Sequence, residues 1–346
     1  MPTKKKSVEF DEGKKIWFDG KMVDWKDANV HVGIHALHYG SSVFEGIRCY
    51  NTKNGPAIMR LKEHMRRLSD SARICRMRVP FTIEQLEKAA LETIKVNEWK
   101  EAYLRPLVFR GYHSLGVLPK DNPINVVIMS WYWGKYLGAK ALNGVDVMVS
   151  SWNRAAPNTF PTMAKTAPNY LNSQLVKIES VAMRAELDPE KVAADELGYE
   201  QFDEGIALNT QGFVSEGSGE NLFIIRDGIV YTPPAAAMIL PGITRMCAIT
   251  IMERDMGLKV VEANIPREML YICDELFFTG TAAEVTPIRS VDRQAVGEVV
   301  AEKKLPFGGA YISRGKIGPI TKELQERFLA IVKGEAPDKY GWLTHV

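Results

Sequence analysis

Lys165 stands in an unusual neighbourhood. From Ala155 through Val176 it is the only charged residue of the Asp, Glu, Lys or Arg types, in a chain that is 25% charged overall. An ammonium kept among neutral groups is poorly solvated, which lowers its pKa and frees the amine to act as a nucleophile or base. Pro157, Pro161 and Pro168 restrict the backbone around it and argue against a continuous helix before Asn169. The plain alternative is a loop lysine that reaches solvent along its stem.

Three further stretches have residue types suited to a ligand. Pro241-Gly242 opens a helical pattern from Ile243 to Met256, closed by Gly257. Such a start aims the N–H groups of Ile243 and Thr244 and the positive end of the helix dipole outward, as an anion site requires. Gly280-Thr281-Ala282, after a strand-like run from Glu275 to Thr279, offers turn amides and one hydroxyl for a phosphate or carboxylate. Ser215-Glu216-Gly217-Ser218-Gly219-Glu220-Asn221 sets carboxylates in a glycine-rich bend. That bend lacks the third glycine and following helix of a dinucleotide fingerprint. Its glycines would admit a flat ring close to the backbone, and Glu216 could hold a protonated ring nitrogen. Each feature alone reads equally well as an ordinary turn or helix start. A desolvated lysine, an anion cradle and a carboxylate for a ring nitrogen together are what pyridoxal phosphate requires.

His31, His35 and His38 have the four- and three-residue spacing of ligands on one helix face. Gly33 and Gly40 interrupt that segment, and no carboxylate between Asp27 and Glu45 is present to orient the rings. A loop packed against a cavity is the preferred reading. A non-catalytic, His-rich metal-binding protein is the remote alternative, and no metal site is expected.

The elements that must position these groups read as follows. A hairpin joins Ile16–Phe18 to Met22–Val23 through Asp19-Gly20, and a helix from Leu61 to Met77 carries Met65, Leu68, Ala72 and Cys75 on one stripe, with arginines around it. Thr82 to Gln85 has capping-box spacing and opens a second helix through about Asn97. Tyr103–Arg110, Ile124–Trp131 and Val145–Trp152 are strand-like, and a helix is expected from Asn169 to about Leu187. Short strands follow at Gly205–Asn209, Asn221–Arg226 and Ile229–Tyr231, the last two joined by Asp227-Gly228. A helix closes the chain from about Ile320 to Val332. At 346 residues two domains are expected, an N-terminal α/β domain over 1–130, a linker over 131–144 and a C-terminal domain over 145–346.

Composition narrows the function classes. Lys plus Arg and Asp plus Glu number 44 and 42, so no nucleic-acid or anionic-membrane partner is indicated. No apolar run approaches a bilayer span or follows the basic N-terminus as a signal peptide would require. Cys49, Cys75, Cys247 and Cys273 form no CxxC pair and read as buried thiols in a reducing compartment, so a cytoplasmic protein is expected.

The blocks HALHYGSSVFEGIRCY, EHMRRL, SSWNRAAPNTFPTMAK, SEGSGENLF, PGITR and TGTAAEVTPIRSVD resemble those of branched-chain amino-acid aminotransferases, fold-type IV pyridoxal phosphate enzymes. The resemblance runs from about Trp17 to Trp342, weakening over roughly 177–203, a stretch longer than is usual for that family. It implies an α+β fold with a smaller N-terminal α/β domain and a larger C-terminal domain with a barrel-like β core. It implies that Lys165 is the Schiff-base lysine, Glu216 the partner of the pyridine nitrogen and Tyr170 the tyrosine near the ring's phenolic oxygen. Phosphate would be held by Arg67, whose planar fork can donate two parallel bonds, by the amides of Ile243 and Thr244, and by Thr281. The substrate carboxylate would meet Tyr103, Thr281 and Ala282, and Tyr39, Phe44, Trp133 and Tyr136 would line the side-chain pocket. Arg105 and the tyrosines would receive the distal carboxylate of glutamate. The implied reaction is ping-pong transfer of the amino group from leucine, isoleucine or valine to 2-oxoglutarate, in a homodimer or higher homo-oligomer. D-amino-acid aminotransferase, R-selective amine transaminase and aminodeoxychorismate lyase are the near alternatives. Phe44, Arg48, Tyr103 and Arg105 favour the branched-chain form. Two departures stand out: Thr166-Ala167-Pro168 where the family has small residues with glycines, and a bulkier loop over Gly111–Val117 that in the family reaches the neighbouring subunit's pocket.

Overall fold

The computed structural model describes residues 11–134, 140–182, 202–304 and 311–346. These residues fall into two compact units. The first comprises 11–134, 164–167 and 331–346, and the second comprises 140–163, 168–182, 202–304 and 311–330. Lys165 thus belongs to the first unit although the chain on both sides of its short segment belongs to the second.

The first unit is built on a nine-stranded sheet. Its strands are β1 (Asp11–Glu12), β2 (Lys15–Phe18), β3 (Lys21–Asp24), β4 (Ser42–Phe44), β5 (Ile47–Thr52), β6 (Gly55–Met59), β7 (Ala102–Arg110), β8 (Ile124–Tyr132) and a last strand at Leu343–His345. The β2–β3 hairpin turns at Asp19 and Gly20, both with positive φ, as a two-residue Asp-Gly loop demands. Between β3 and β4 runs the short helix α1 (His35–Tyr39). Helices α2 (Leu61–Ile74) and α3 (Ile83–Val96) carry Met65, Leu68, Ala72, Leu86, Ala90 and Ile94 into one core with Ile47, Ile58, Leu104, Val108, Val126 and Ile128 of the sheet. The expected capping box opens α3, with Thr82 and Gln85 exchanging side-chain and backbone bonds. Helix α2 ends at Ile74 rather than Met77. Arg76 takes a left-handed φ of 56°, and Met77 N–H returns to Ala72 O at 2.8 Å, a turn that closes the helix and buries Met77.

The second unit begins with the short helix α4 (Lys140–Asn143) and strand β9 (Val145–Val149). β9 stops before the expected Trp152 because Ser150 Oγ and Ser151 N–H bond to Glu179 of helix α5 (Asn169–Ala182) instead of continuing a ladder. The part of that helix expected beyond residue 182 lies outside the described residues. Strands β10 (Glu204–Leu208), β11 (Val214–Gly217), β12 (Asn221–Arg226), β13 (Ile229–Thr232), β14 (Val260–Glu262), β15 (Glu275–Gly280), β16 (Glu284–Val291) and β17 (Gln294–Ala295) follow, with helix α6 (Ile243–Arg254) before β14, α7 (Met269–Ile272) before β15 and α8 (Pro319–Val332) near the end. The sheet runs β11-β10-β9-β16-β15-β12-β13-β14. β11 and β12 are thus five places apart, about 24 Å across a flat sheet. Four residue steps span at most about 14 Å, and only three residues separate the two strands. The sheet therefore curls until its edge returns toward its middle, which is the barrel-like β core. Val147, Ile206, Leu222, Ile224, Leu276, Phe278 and Ile288 fill it.

Cys49, Cys247 and Cys273 are buried free thiols, and Cys75 is partly exposed rather than buried. Burial pushes the thiols of Cys49 and Cys273 up to about 12. No helix among the described residues is long and apolar enough to cross a membrane.

Candidate active site

In the first unit, Lys165 is held by its backbone. Phe44 N–H donates to Lys165 O and Ala167 N–H to Ser42 O, each at 3.0 Å, so residues 165–167 lie along β4. Lys165 N–H donates to Ser71 Oγ of α2 at 3.0 Å. The side chain then carries Nζ over the Phe44 ring, 5.0 Å from its centroid. Lys165 is partly buried, and Pro157, Asn158, Thr159, Pro161 and Met163 before it are exposed. Ala164 and Thr166, on either side of it, are buried.

Beneath this segment, α2 presents His64, Arg67 and Ser71 on adjacent turns, and Glu45 faces two of them. Arg67 donates through Nε to Glu45 Oε1 at 2.6 Å and through Nη2 to Oε2 at 2.7 Å, while His64 Nδ1 meets Oε2 at 2.7 Å. Burial alone would raise the Glu45 pKa. The charge and hydrogen bonds of Arg67, with the hydrogen bond of His64, outweigh that and hold the carboxyl well below the usual carboxylate range. Burial pushes His64 down, against the pull of Glu45, so the ring is neutral with its Nδ1 proton donated to the carboxylate. The planar fork expected to grip phosphate thus gives two parallel bonds, through Nε and Nη2, to Glu45.

Arg48, Tyr103 and Trp131 share a row across β5, β7 and β8, and Arg105 follows two residues on, facing the same side as Tyr103. Arg48 is buried and reaches Gly134 O at 3.4 Å. The Arg105 guanidinium lies 4.8 Å from the Phe44 centroid and 5.5 Å from those of Tyr103 and Trp131, and its buried Nε meets no acceptor among the described residues. Trp133 meets the Tyr103 ring edge to face at 4.9 Å. The Tyr103 hydroxyl presses on Gly46 where any Cβ would collide, so that position requires glycine. Lys165, Phe44, Tyr103, Arg105 and Trp133 are thereby brought together. Tyr39 is engaged elsewhere: its hydroxyl donates to Leu115 O at 2.7 Å, and its ring meets His35. Tyr136 lies outside the described residues. The three histidines face different partners: His35 bonds Ser41 and Gly116, His38 bonds Val32 O, and His31 packs on Tyr112.

In the second unit, Glu216 is buried at the end of β11. Its Oε2 accepts from Asn221 Nδ2 at 3.2 Å and from Leu240 N–H at 3.0 Å, and Arg154 Nε stands 3.3 Å from Oε1. Asn221 also donates to Leu240 O at 2.9 Å, fixing the chain that leads into α6. Gly242 is the N-cap of α6 and no side chain caps it, so the first-turn N–H groups around Ile243 and Thr244 have no internal cap. A Cβ at Gly242 would strike Asn221 Oδ1, so the backbone passes there only without a side chain. Thr281 and Ala282 form the partly buried turn between β15 and β16, and Tyr170 sits partly buried in the first turn of α5. An amine and an arginine in one unit, and an anchored carboxylate with an uncapped, buried helix start in the other, are donor sets that fit pyridoxal phosphate.

Sequence reasoning did not single out Glu45 and His64, which the structure sets against Arg67, or Arg154 and Asn221, which it sets against Glu216. A signal existed: His64 and Arg67 stand three apart beside the apolar stripe of α2, and Arg154 is the last charge before the neutral window.

The fold and these donor sets define a class, and comparison with known proteins agrees. The family model of amino-transferase class IV matches residues 42–291, and the chain belongs to that family. It is 48% identical over 333 residues to the branched-chain-amino-acid aminotransferase of Salmonella typhimurium, covering 96% of this chain and 97% of that protein. Its structure is similar to that of the Escherichia coli branched-chain amino acid aminotransferase, with a TM-score of 0.84, 46% identity, and 96% and 99% of the two chains covered. It is also similar to the branched-chain amino acid aminotransferase of Thermobaculum terrenum in its PLP-form, the holo-form, with a TM-score of 0.81, 30% identity, and 96% and 98% covered.

Proposed function

We propose that this chain transfers the amino group of leucine, isoleucine or valine to 2-oxoglutarate with pyridoxal phosphate, giving branched-chain 2-oxo acids and L-glutamate by ping-pong turnover. The observation that carries this reading is the Phe44 ring, which meets both the Lys165 amine and the Arg105 guanidinium. One aromatic wall thus serves a nucleophile and a partly buried cation whose Nε has no acceptor among the described residues, so an aliphatic side chain and a distal carboxylate can occupy the same pocket in turn.

Pyridoxal phosphate, when bound, supplies the electron sink that makes the α-proton acidic. Lys165 would be its point of attachment, and its Nζ the base for the α-proton. Glu216 would hold the ring nitrogen's proton, and Asn221, Leu240 N–H and Arg154 fix that carboxylate. Tyr170 would serve the ring's phenolic oxygen. Arg67, the first-turn amides at Ile243 and Thr244, and Thr281 bind the phosphate, with Glu45 and His64 fixing the Arg67 plane. Tyr103 and the Thr281–Ala282 turn take the substrate's α-carboxylate. Phe44 and Trp133 exclude water around the aliphatic side chain, and Arg105 receives the glutamate carboxylate. Tyr39, tied through its hydroxyl to the 111–117 loop, lines a pocket in a cytoplasmic homodimer or higher homo-oligomer.

An assay of L-leucine, D-alanine and 1-phenylethylamine, each with 2-oxoglutarate, tests the reading. Turnover of L-leucine is expected. Turnover of the D-substrate or the amine alone would favour another fold-type IV activity.

A further inference from the structure

Arg154 is 2% exposed, and its guanidinium joins three stretches of the second unit. Nη1 donates to Asn172 Oδ1 at 2.7 Å and Ser173 Oγ at 3.1 Å near the start of α5. Nη2 donates to Gly217 O and, at 3.1 Å, to Ser218 O in the bend between β11 and β12. Nε faces Glu216 Oε1 at 3.3 Å without hydrogen-bond alignment. The loop after β9, the helix that begins beside Tyr170 and the bend that carries Glu216 therefore share one cation.

Charge accounting around it is tight. Lys177 is paired with Glu204 at 2.8 Å. Glu220, whose nearest charged neighbours are Glu204, Lys177 and Arg154, is pushed up to about 8 by burial and then by Glu204, so near neutral pH it carries a proton. Among the described residues, Lys177 thus faces Glu204 and Arg154 faces Glu216.

We propose that Arg154 is a positioning residue for the transfer reaction: it fixes Glu216 as an oriented carboxylate and so keeps the proton on the cofactor's ring nitrogen. A cation in contact with a carboxylate lowers that group's affinity for a proton more than it lowers the affinity of a base one group further away. Without it, the proton moves from the ring nitrogen to Glu216, and the electron sink weakens. This rests on the reading of Glu216 as the ring-nitrogen partner.

The test uses holoenzyme carrying pyridoxal phosphate labelled with 15N in the ring, in wild type, Arg154→Met, Arg154→Lys and Glu216→Gln. In Arg154→Met the 15N resonance is expected to move toward the unprotonated position. Its kcat should fall about 10- to 100-fold, the usual size for losing a group that orients a directly acting one, with KM for L-leucine unchanged. Arg154→Lys keeps the charge without the fork and should lie between. If Arg154→Met does not fold, a resonance in Arg154→Lys displaced in the same direction supports the proposal, and an unmoved one overturns it. A wild-type resonance in Arg154→Met, whether or not the rate falls, also overturns it. Glu216→Gln separates the two readings: an unmoved resonance there removes Glu216, and with it the premise, whereas a moved one alongside an unmoved Arg154 variant removes Arg154 alone.

Discussion

Glu45 and Glu220 are both buried glutamates, one in each unit, and their surroundings drive them in opposite directions. Glu45 meets the Arg67 fork and the His64 ring and stays ionised far below the usual carboxylate range. Among the described residues, Glu220 has for a hydrogen-bond donor only the neighbouring Gly219 N–H, at 3.0 Å, and it lies near Glu204, so it is held as a neutral acid. Burial raises both pKa values, and the number of cations within reach decides the outcome. In the first unit the carboxylate organises the arginine proposed to meet phosphate. In the second, a third acid kept neutral leaves Arg154 to Glu216.

The largest expected effect is at Glu45. Glu45→Leu takes the carboxylate from a half-buried guanidinium and from the buried His64 donor, and should cost about 3–5 kcal/mol of stability, read by chemical denaturation. A loss well under about 1 kcal/mol would mean that the triad carries no net weight. Glu220→Gln should act with opposite sign. Wild-type Glu220 keeps a proton in the folded state that the unfolded chain releases above 4.5, so its presence costs stability progressively as pH rises from about 4.5 to about 8. The thermal midpoint of Glu220→Gln relative to wild type should therefore climb between about pH 5 and pH 8. A constant difference across that range would show Glu220 ionised and would dissolve the contrast. Glu45 adds no slope there, because its lowered pKa makes its contribution fully present above the ordinary carboxylate range and lost only in strong acid.

What was legible in the sequence was local. The Asp19-Gly20 and Asp227-Gly228 turns, the Thr82–Gln85 capping box and the Gly242 helix start are each written within a few residues, and the structure has all four. Lys165 and Glu216 stood out for the same reason, one by its neutral flanks and the other by its glycines. Glu45, His64 and Arg154 did not, since what each does is set by partners 18 to 64 residues away. The end of β9 was equally hidden, because a carboxylate 28 residues on captures the Ser151 N–H. The unit that Lys165 joins was hidden too, because Ser42, Phe44 and Ser71, more than 90 residues earlier, bond to its segment.

The central claim is that Lys165 carries the cofactor and that L-leucine is a substrate. The visible absorption of the purified protein, before and after L-leucine, compared with Lys165→Ala, tests it most directly. Wild type should be yellow, lose that colour to the pyridoxamine form when L-leucine is added and regain it with 2-oxoglutarate, while Lys165→Ala should lack the borohydride-reducible band. A variant that keeps that band, or a wild-type spectrum indifferent to L-leucine, would contradict the account.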